Sequence, residues 1–175
     1  MSNTIESPAS TVRAALRERG YSSRDVSVRN PNGGSVTATI RAPHVDPDAV
    51  REALAIVERI HRDDATGEIL SGGNVFTHVE WSPSARAAKA APMLAAATAA
   101  WAASEDRSLE RNSFGAYSDI DGAPGYFLGW NGSYHARELI RASGDGRTAF
   151  RLVYSAADLA FYLACGVTER GTWAT

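Results

Sequence analysis

The residues of this chain that could do chemistry are four histidines, one cysteine and scattered carboxylates. His61 and Asp64 stand three apart, as do His135 and Glu138. Each pair could share a helix face and supply two metal ligands, but neither has a third donor at motif spacing, so no metal site and no cofactor is expected. Asp119-x-Asp121-Gly122 begins like a calcium loop and lacks the later acidic ligands, so it reads as an acidic turn. Cys165 sits near the end of an apolar helical stretch, where the helix dipole disfavours a thiolate; it reads as packing. No G-x-S-x-G elbow, P-loop or G-x-G-x-x-G after a strand occurs. If the chain is an enzyme, Tyr134, His135 and Glu138 are the candidate acid–base group, since such side chains exchange protons near neutral pH once brought together.

The densest group of recognition-type residues is Gly125 to Arg141. It holds Tyr126, Phe127, Trp130, Tyr134 and His135, with Arg137 and Arg141 four apart on one face of an expected helix. Aromatics with arginines serve protein interfaces and single-stranded nucleic-acid platforms alike. Most of these rings are expected in the core; Tyr126, Trp130, Tyr134, His135, Arg137 and Arg141 form the candidate binding surface if part of the stretch is exposed.

The elements that must position these residues follow from punctuation and period. Ser7-Pro8 opens a first helix that Gly20 ends. Val26 and Val28, then Val36, Ala38 and Ile40, alternate on either side of Asn30-Pro31-Asn32-Gly33-Gly34, which predicts a hairpin. A strand follows the two glycines, where a phosphate loop would need a helix. Asp46-Pro47-Asp48 caps a second helix of about four turns, with Val50, Ala53, Leu54, Ile56, Val57, Ile60 and His61 on its apolar side. Asp63 to Gly73 reads as a loop and Val75 to Trp81 as a third strand. Ser82-Pro83-Ser84 starts an alanine-rich helix to about Ala103, kinked or split at Pro92 and anchored by Met93, Leu94 and Trp101. Glu105 to Arg111 reads as a link. Beyond it come a strand at Tyr126–Trp130, a short helix from Tyr134 to Ala142, and a strand from Thr148 to Tyr154. A last helix is capped by Ser155-x-x-Asp158 and stopped by Gly166. The expected class is α+β, with a single mixed or antiparallel sheet and helices mainly on one face. Residues 1–104 form a helix–hairpin–helix–strand–helix module, and 105–175 an aromatic-rich part sharing its core.

An apolar share of 44% in 175 residues supports a packed core. The net charge of −2 gives no dense positive face for non-specific nucleic-acid binding. All basic residues except Lys89 are arginine, which matches a GC-rich coding sequence. A lone cysteine excludes an intrachain disulfide. The polar first eleven residues and the weak apolarity of Ala85–Ala103 predict a cytoplasmic protein with neither signal peptide nor membrane span.

The segment from Val12 to Trp81 resembles some large polyvalent protein-associated domains, small α+β modules of phage and conjugative-element proteins. The resemblance rests on the first helix, Ser27-Val28-Arg29, Gly33-Gly34-Ser35-Val36-Thr37 and the helix from Asp46. It implies a mobile-element protein that counters host defence, in the manner of an anti-restriction or anti-CRISPR protein, and transfers no catalytic residues. The first expectation is therefore a non-enzymatic binding protein with a protein partner. The alternatives are a nucleic-acid-binding module using Arg24, Arg29 and Arg41 around the hairpin, and a small enzyme using His135 and Glu138.

Overall fold

A computed structural model describes residues 7–31, 33–58, 75–104, 117–142, 148–167, 173 and 175. The expectations for Asp63–Gly73, Glu105–Arg111, Ile60, His61 and Asp64 lie outside the described residues. The chain divides into two compact units, Met1–Ala85 and Arg86–Thr175. The expected division after residue 104 is not where the chain parts: the helix ending at Ala103 packs on the last helix of the second unit.

In the first unit, helix α1 (Pro8–Glu18) is capped by Ser7, whose side chain accepts from the Ser10 N–H. Strands β1 (Val26–Arg29) and β2 (Ser35–Ile40) form the expected antiparallel hairpin. Helix α2 (Pro47–Ala55) is capped by Asp46 and leads to β3 (Phe76–Trp81), which pairs parallel with β2. A parallel pair needs a crossover, and α2 lies within it. Val12, Leu16, Val26, Val28, Val36, Ala38, Ile40, Val50 and Leu54 bury one face of this sheet under α1 and α2. Val79 and Trp81 pack against the same core. Ile56, expected on the apolar stripe of α2, is instead exposed, because the helix ends at Ala55 and the stripe does not continue through it.

In the second unit, α3 (Pro83–Ala90), which straddles the division, a 3₁₀ turn (Ala91–Met93) and α4 (Leu94–Ala103) show the split expected at Pro92. Leu94 is exposed and does not anchor; Ala97 is the buried contact of α4. A second sheet runs β4 (Ser118–Asp119), β5 (Tyr126–Asn131), β6 (Ala136–Ala142) and β7 (Thr148–Val153), each antiparallel to the next. Helix α5 (Ala156–Cys165) follows, its Ser155 cap accepting from the Asp158 N–H.

The class is α+β, but two expectations fail. The described residues form two sheets and not a single one. The strands of the second half are joined by short connections, so they pair among themselves and extend no strand of the first sheet. The segment expected as a helix, Tyr134–Ala142, contains β6. Ala, Arg, Glu and Leu favour helix intrinsically, but ladders on both sides, to β5 and to β7, override that preference. The turn that starts the hairpin is Gly132 to His135. Asn131 accepts from the Ser133 N–H, and His135 takes the left-handed conformation at φ 48°. Among the described residues no helix is long and apolar enough to cross a membrane.

Candidate functional site

The aromatic–arginine stretch is spread over both faces of the second sheet. Register places Tyr126, Leu128 and Trp130 beside Arg141, Leu139 and Arg137, and these beside Ala149, Arg151 and Val153. This is the face on which α4 and α5 lie. Arg137 stacks over the Trp101 ring at 3.9 Å, and its Nε donates to the Ser104 hydroxyl, which ties β6 to the end of α4. Arg141 lies 4.9 Å from the Tyr126 ring and donates to the Pro124 carbonyl at 3.0 Å. Arg86 pairs with Asp158 at 2.8 Å and stacks on Phe161 at 4.2 Å. Trp173 adds a ring against both Tyr126 and Tyr162. Burial pushes the Tyr126 hydroxyl upward, partly offset by Arg141.

Of the six candidate binding residues, Trp130 is therefore buried, and Tyr126, Arg137 and Arg141 are half-buried in contacts with the chain's own groups. Tyr134 and His135 are exposed on the β5–β6 turn. The candidate acid–base group is distributed differently from its sequence spacing. Glu138 is buried on the opposite face, where it accepts from the Tyr117 hydroxyl. Burial, then that bond and the carboxylate's charge, raise the Tyr117 pKa well above 10.0. Among the described residues no group of three His, Cys, Asp or Glu could hold a metal ion. Cys165 is half-buried at the end of α5.

The other face of the second sheet carries side chains that sequence reasoning had grouped only by strand alternation. Phe127, Ile140 and Leu152 are half-buried on it, Tyr117 crosses it, and Phe150 and Tyr154 are 60% and 71% exposed. Polar alternation on strands usually keeps such rings off solvent. A cleft of about 590 Å³ adjoins this face, lined by Phe150, Leu152 and Tyr154 and, from the helix-bearing side, by Arg151, Asp158 and Tyr162. Arg151 lies 4.9 Å from the Tyr162 ring. Asp158 is engaged by Arg86, and among the described residues no carboxylate is within ion-pair distance of Arg151.

The first unit has a cleft of about 510 Å³ between α2 and β3, lined among others by Arg51, Glu52, Glu58, Thr77 and His78. Its charges are already matched: Arg51 pairs with Asp48, Glu52 with Arg19, and Glu58 accepts from Thr77. The outer face of that sheet sets Arg29, Thr37 and His78 in one row and Ser27, Thr39 and Glu80 in the next, with Thr39 donating to Glu80 at 2.8 Å. Arg29 pairs with Thr37, whereas Arg41 donates its N–H to Asp25 at the far end of the hairpin. The arginines proposed to grip nucleic acid thus stand at opposite ends of a mixed-charge surface. No protein-family model matches the chain, and neither a curated protein nor a solved structure matches it.

Proposed function

We propose that this is a non-enzymatic binding protein that acts by occupying a protein surface, and that its contact region is the exposed part of the second sheet around Phe150 and Tyr154, with the edge of β7. The observation that carries the reading is the exposure of Phe150 and Tyr154 beside half-buried Phe127, Ile140 and Leu152. Clustered rings in water cost free energy that a partner surface recovers, at roughly 25 cal/mol per Å² covered. Aromatic side chains also dominate the energetics of protein interfaces. If the chain comes from a phage or plasmid, as the resemblance of Val12–Trp81 implies, the partner would be a host defence protein.

Nucleic-acid binding ranks second. The arginines of the aromatic stretch lie on the helix-bearing face and stack on the protein's own rings, and among the described residues the opposite face carries Asp119 and no arginine. A phosphate backbone calls for the opposite arrangement.

The test is a pull-down from lysate of the source organism, with and without nuclease, using the whole protein and a Phe150→Ser/Tyr154→Ser variant. One stoichiometric protein that survives nuclease and is lost with the variant is the expected result. Recovery of nucleic acid alone, or of proteins released by nuclease, would overturn the reading.

A further inference from the structure

The cleft beside β7 is lined from both faces of that strand and from α5. Its lining comes from both faces of that strand, Phe150 and Leu152 from one and Arg151 from the other, with Tyr154 just past its end. Only a position along the edge, level with the sheet, meets both sets, because neighbouring residues of a strand point to opposite faces.

Among the described residues, the backbone of that edge is capped at Phe150 by Trp173 and unpaired at Leu152. β7 is, among the described residues, the last strand of its sheet and pairs with β6 alone. The Trp173 indole, whose backbone bridges antiparallel to Val167, donates to the Phe150 carbonyl at 2.9 Å. That carbonyl therefore points away from β6. In an antiparallel ladder the outward groups recur at every second residue, so the N–H and C=O of Leu152 point outward too. Among the described residues, no strand meets them.

Building on the protein-binding reading, we propose that this edge takes an extended segment of a partner protein as an added strand. The segment carries a carboxylate opposite Arg151, flanked on both sides by apolar residues. Charge selects this occupant. Arg151 is the cation of the cleft that lacks a carboxylate among the described residues, since Asp158 is held by Arg86. A residue paired opposite Arg151 projects to the same face as its guanidinium, and its two neighbours project to the face of Phe150, Leu152 and Tyr154. A second copy of β7 is a poorer occupant. Antiparallel pairing about Leu152 would place Val153 of the copy opposite Arg151, and pairing about Arg151 would set two guanidinium groups together. A nucleic-acid strand offers neither the ladder nor the apolar flanks. Pairing through main-chain bonds, with side chains giving selectivity, is a general mode of peptide recognition.

The test uses the full-length protein and a labelled ten-residue peptide with a central Val-Glu-Val. Companion peptides have Val-Lys-Val, or N-methyl groups on the pairing amides. Fluorescence anisotropy should show saturable binding of the first peptide below about 1 mM. Binding should be at least about ten-fold weaker with lysine and lost on N-methylation. Hydrogen exchange should slow at Leu152. Arg151→Glu, an exposed position that leaves the core intact, should reverse the preference between the two charged peptides. Four results would each overturn the proposal: no saturable binding to about 1 mM, an unreversed preference, protection elsewhere than β7, or a Leu152 amide already protected in a concentration-dependent dimer. A lysate partner captured equally by wild type and Arg151→Glu would also remove the proposal, while leaving the binding-protein reading standing.

Discussion

One methyl group at position 129 should reveal how firmly Tyr117 is seated on the sheet. A Cβ on Gly129 would lie 2.5 Å from Cδ1 and 2.8 Å from Cε1 of the Tyr117 ring. Carbon atoms rest at about 3.5–4.0 Å, so Gly129→Ala must lift the ring by about 1 Å. Overpacking of that kind costs about 1–3 kcal/mol. Lifting the ring also loosens the hydroxyl's bond to Glu138, a carboxylate only 8% exposed; weakening it adds about 1 kcal/mol. Against this, alanine is better than glycine in a strand by about 0.5–1 kcal/mol. The net expectation is about 2 kcal/mol of destabilisation, which lowers the transition of a unit of this size by roughly 8–16 °C. Removing the ring should reverse the sign. In a Tyr117→Ala background, Gly129→Ala loses its three nearest contacts and should stabilise by about 0.5–1 kcal/mol. Thermal unfolding of the wild type, both single variants and the double variant, followed by near-ultraviolet circular dichroism, measures the cycle. A coupling of about 2–3 kcal/mol is expected. Equal costs of Gly129→Ala in the two backgrounds would mean that the ring does not rest on this glycine.

The same tyrosine predicts a loss of stability in alkali. Its folded pKa lies above the unfolded value of 10.0, chiefly through burial and then through Glu138. The contribution is therefore complete below about pH 10 and declines as the pH rises further; urea unfolding between about pH 8 and 11 should show the decline, and Tyr117→Phe should flatten it. Gly125→Ala should destabilise by about 1–3 kcal/mol, because Gly125 has φ 77° and its Cβ would fall 1.7 Å from Arg141 Nη1. In an Arg141→Ala background only the backbone part should remain, readable by the same thermal assay. The Asp25 carboxyl is held below 3.8, first by the Ser22 hydroxyl and then by the Ser22 N–H. NMR titration of Ser22→Ala should move its pKa back toward 3.8, and an unmoved midpoint would remove the serine from the account. Ser155→Ala should cost about 1 kcal/mol through loss of the α5 cap, visible as a lower urea midpoint.

The first unit was largely legible because its signals are local. Ser7-Pro8 and Asp46-Pro47 both cap helices, and the valines of β1 and β2 alternate on either side of a glycine turn. The separation into two sheets was not legible, since nothing in a strand's own pattern names its neighbour. The error at β6 has a more specific cause. Arg137 and Arg141 share a face four residues apart in a helix, and they share a face at the same spacing in a strand. The spacing of the pair is thus consistent with either element. The deciding signal was Asn131-Gly132 directly after the β5 aromatics, a hairpin mark as clear as Asn32-Gly33 in the first unit.

That choice of element changes what the arginines can do. On a surface helix they would project into solvent as a two-point cationic grip. On the central strand β6 they face α4 and their own rings, where Arg137 meets Trp101 and Arg141 meets Tyr126. The candidate surface therefore shifts to the edge strand β7. Its alternation of Phe150, Leu152 and Tyr154 against Arg151 and Val153 was visible as a pattern, but only strand order shows that, among the described residues, β7 lies at the edge. A central strand has both its backbone edges satisfied and contributes recognition through its faces alone. An edge strand offers side chains from both faces together with a row of unpaired donors and acceptors. Arg151 acquires its meaning from this position: the stacked guanidinium lies beside backbone able to form a ladder, and neither its residue type nor its spacing from Arg141 discloses that.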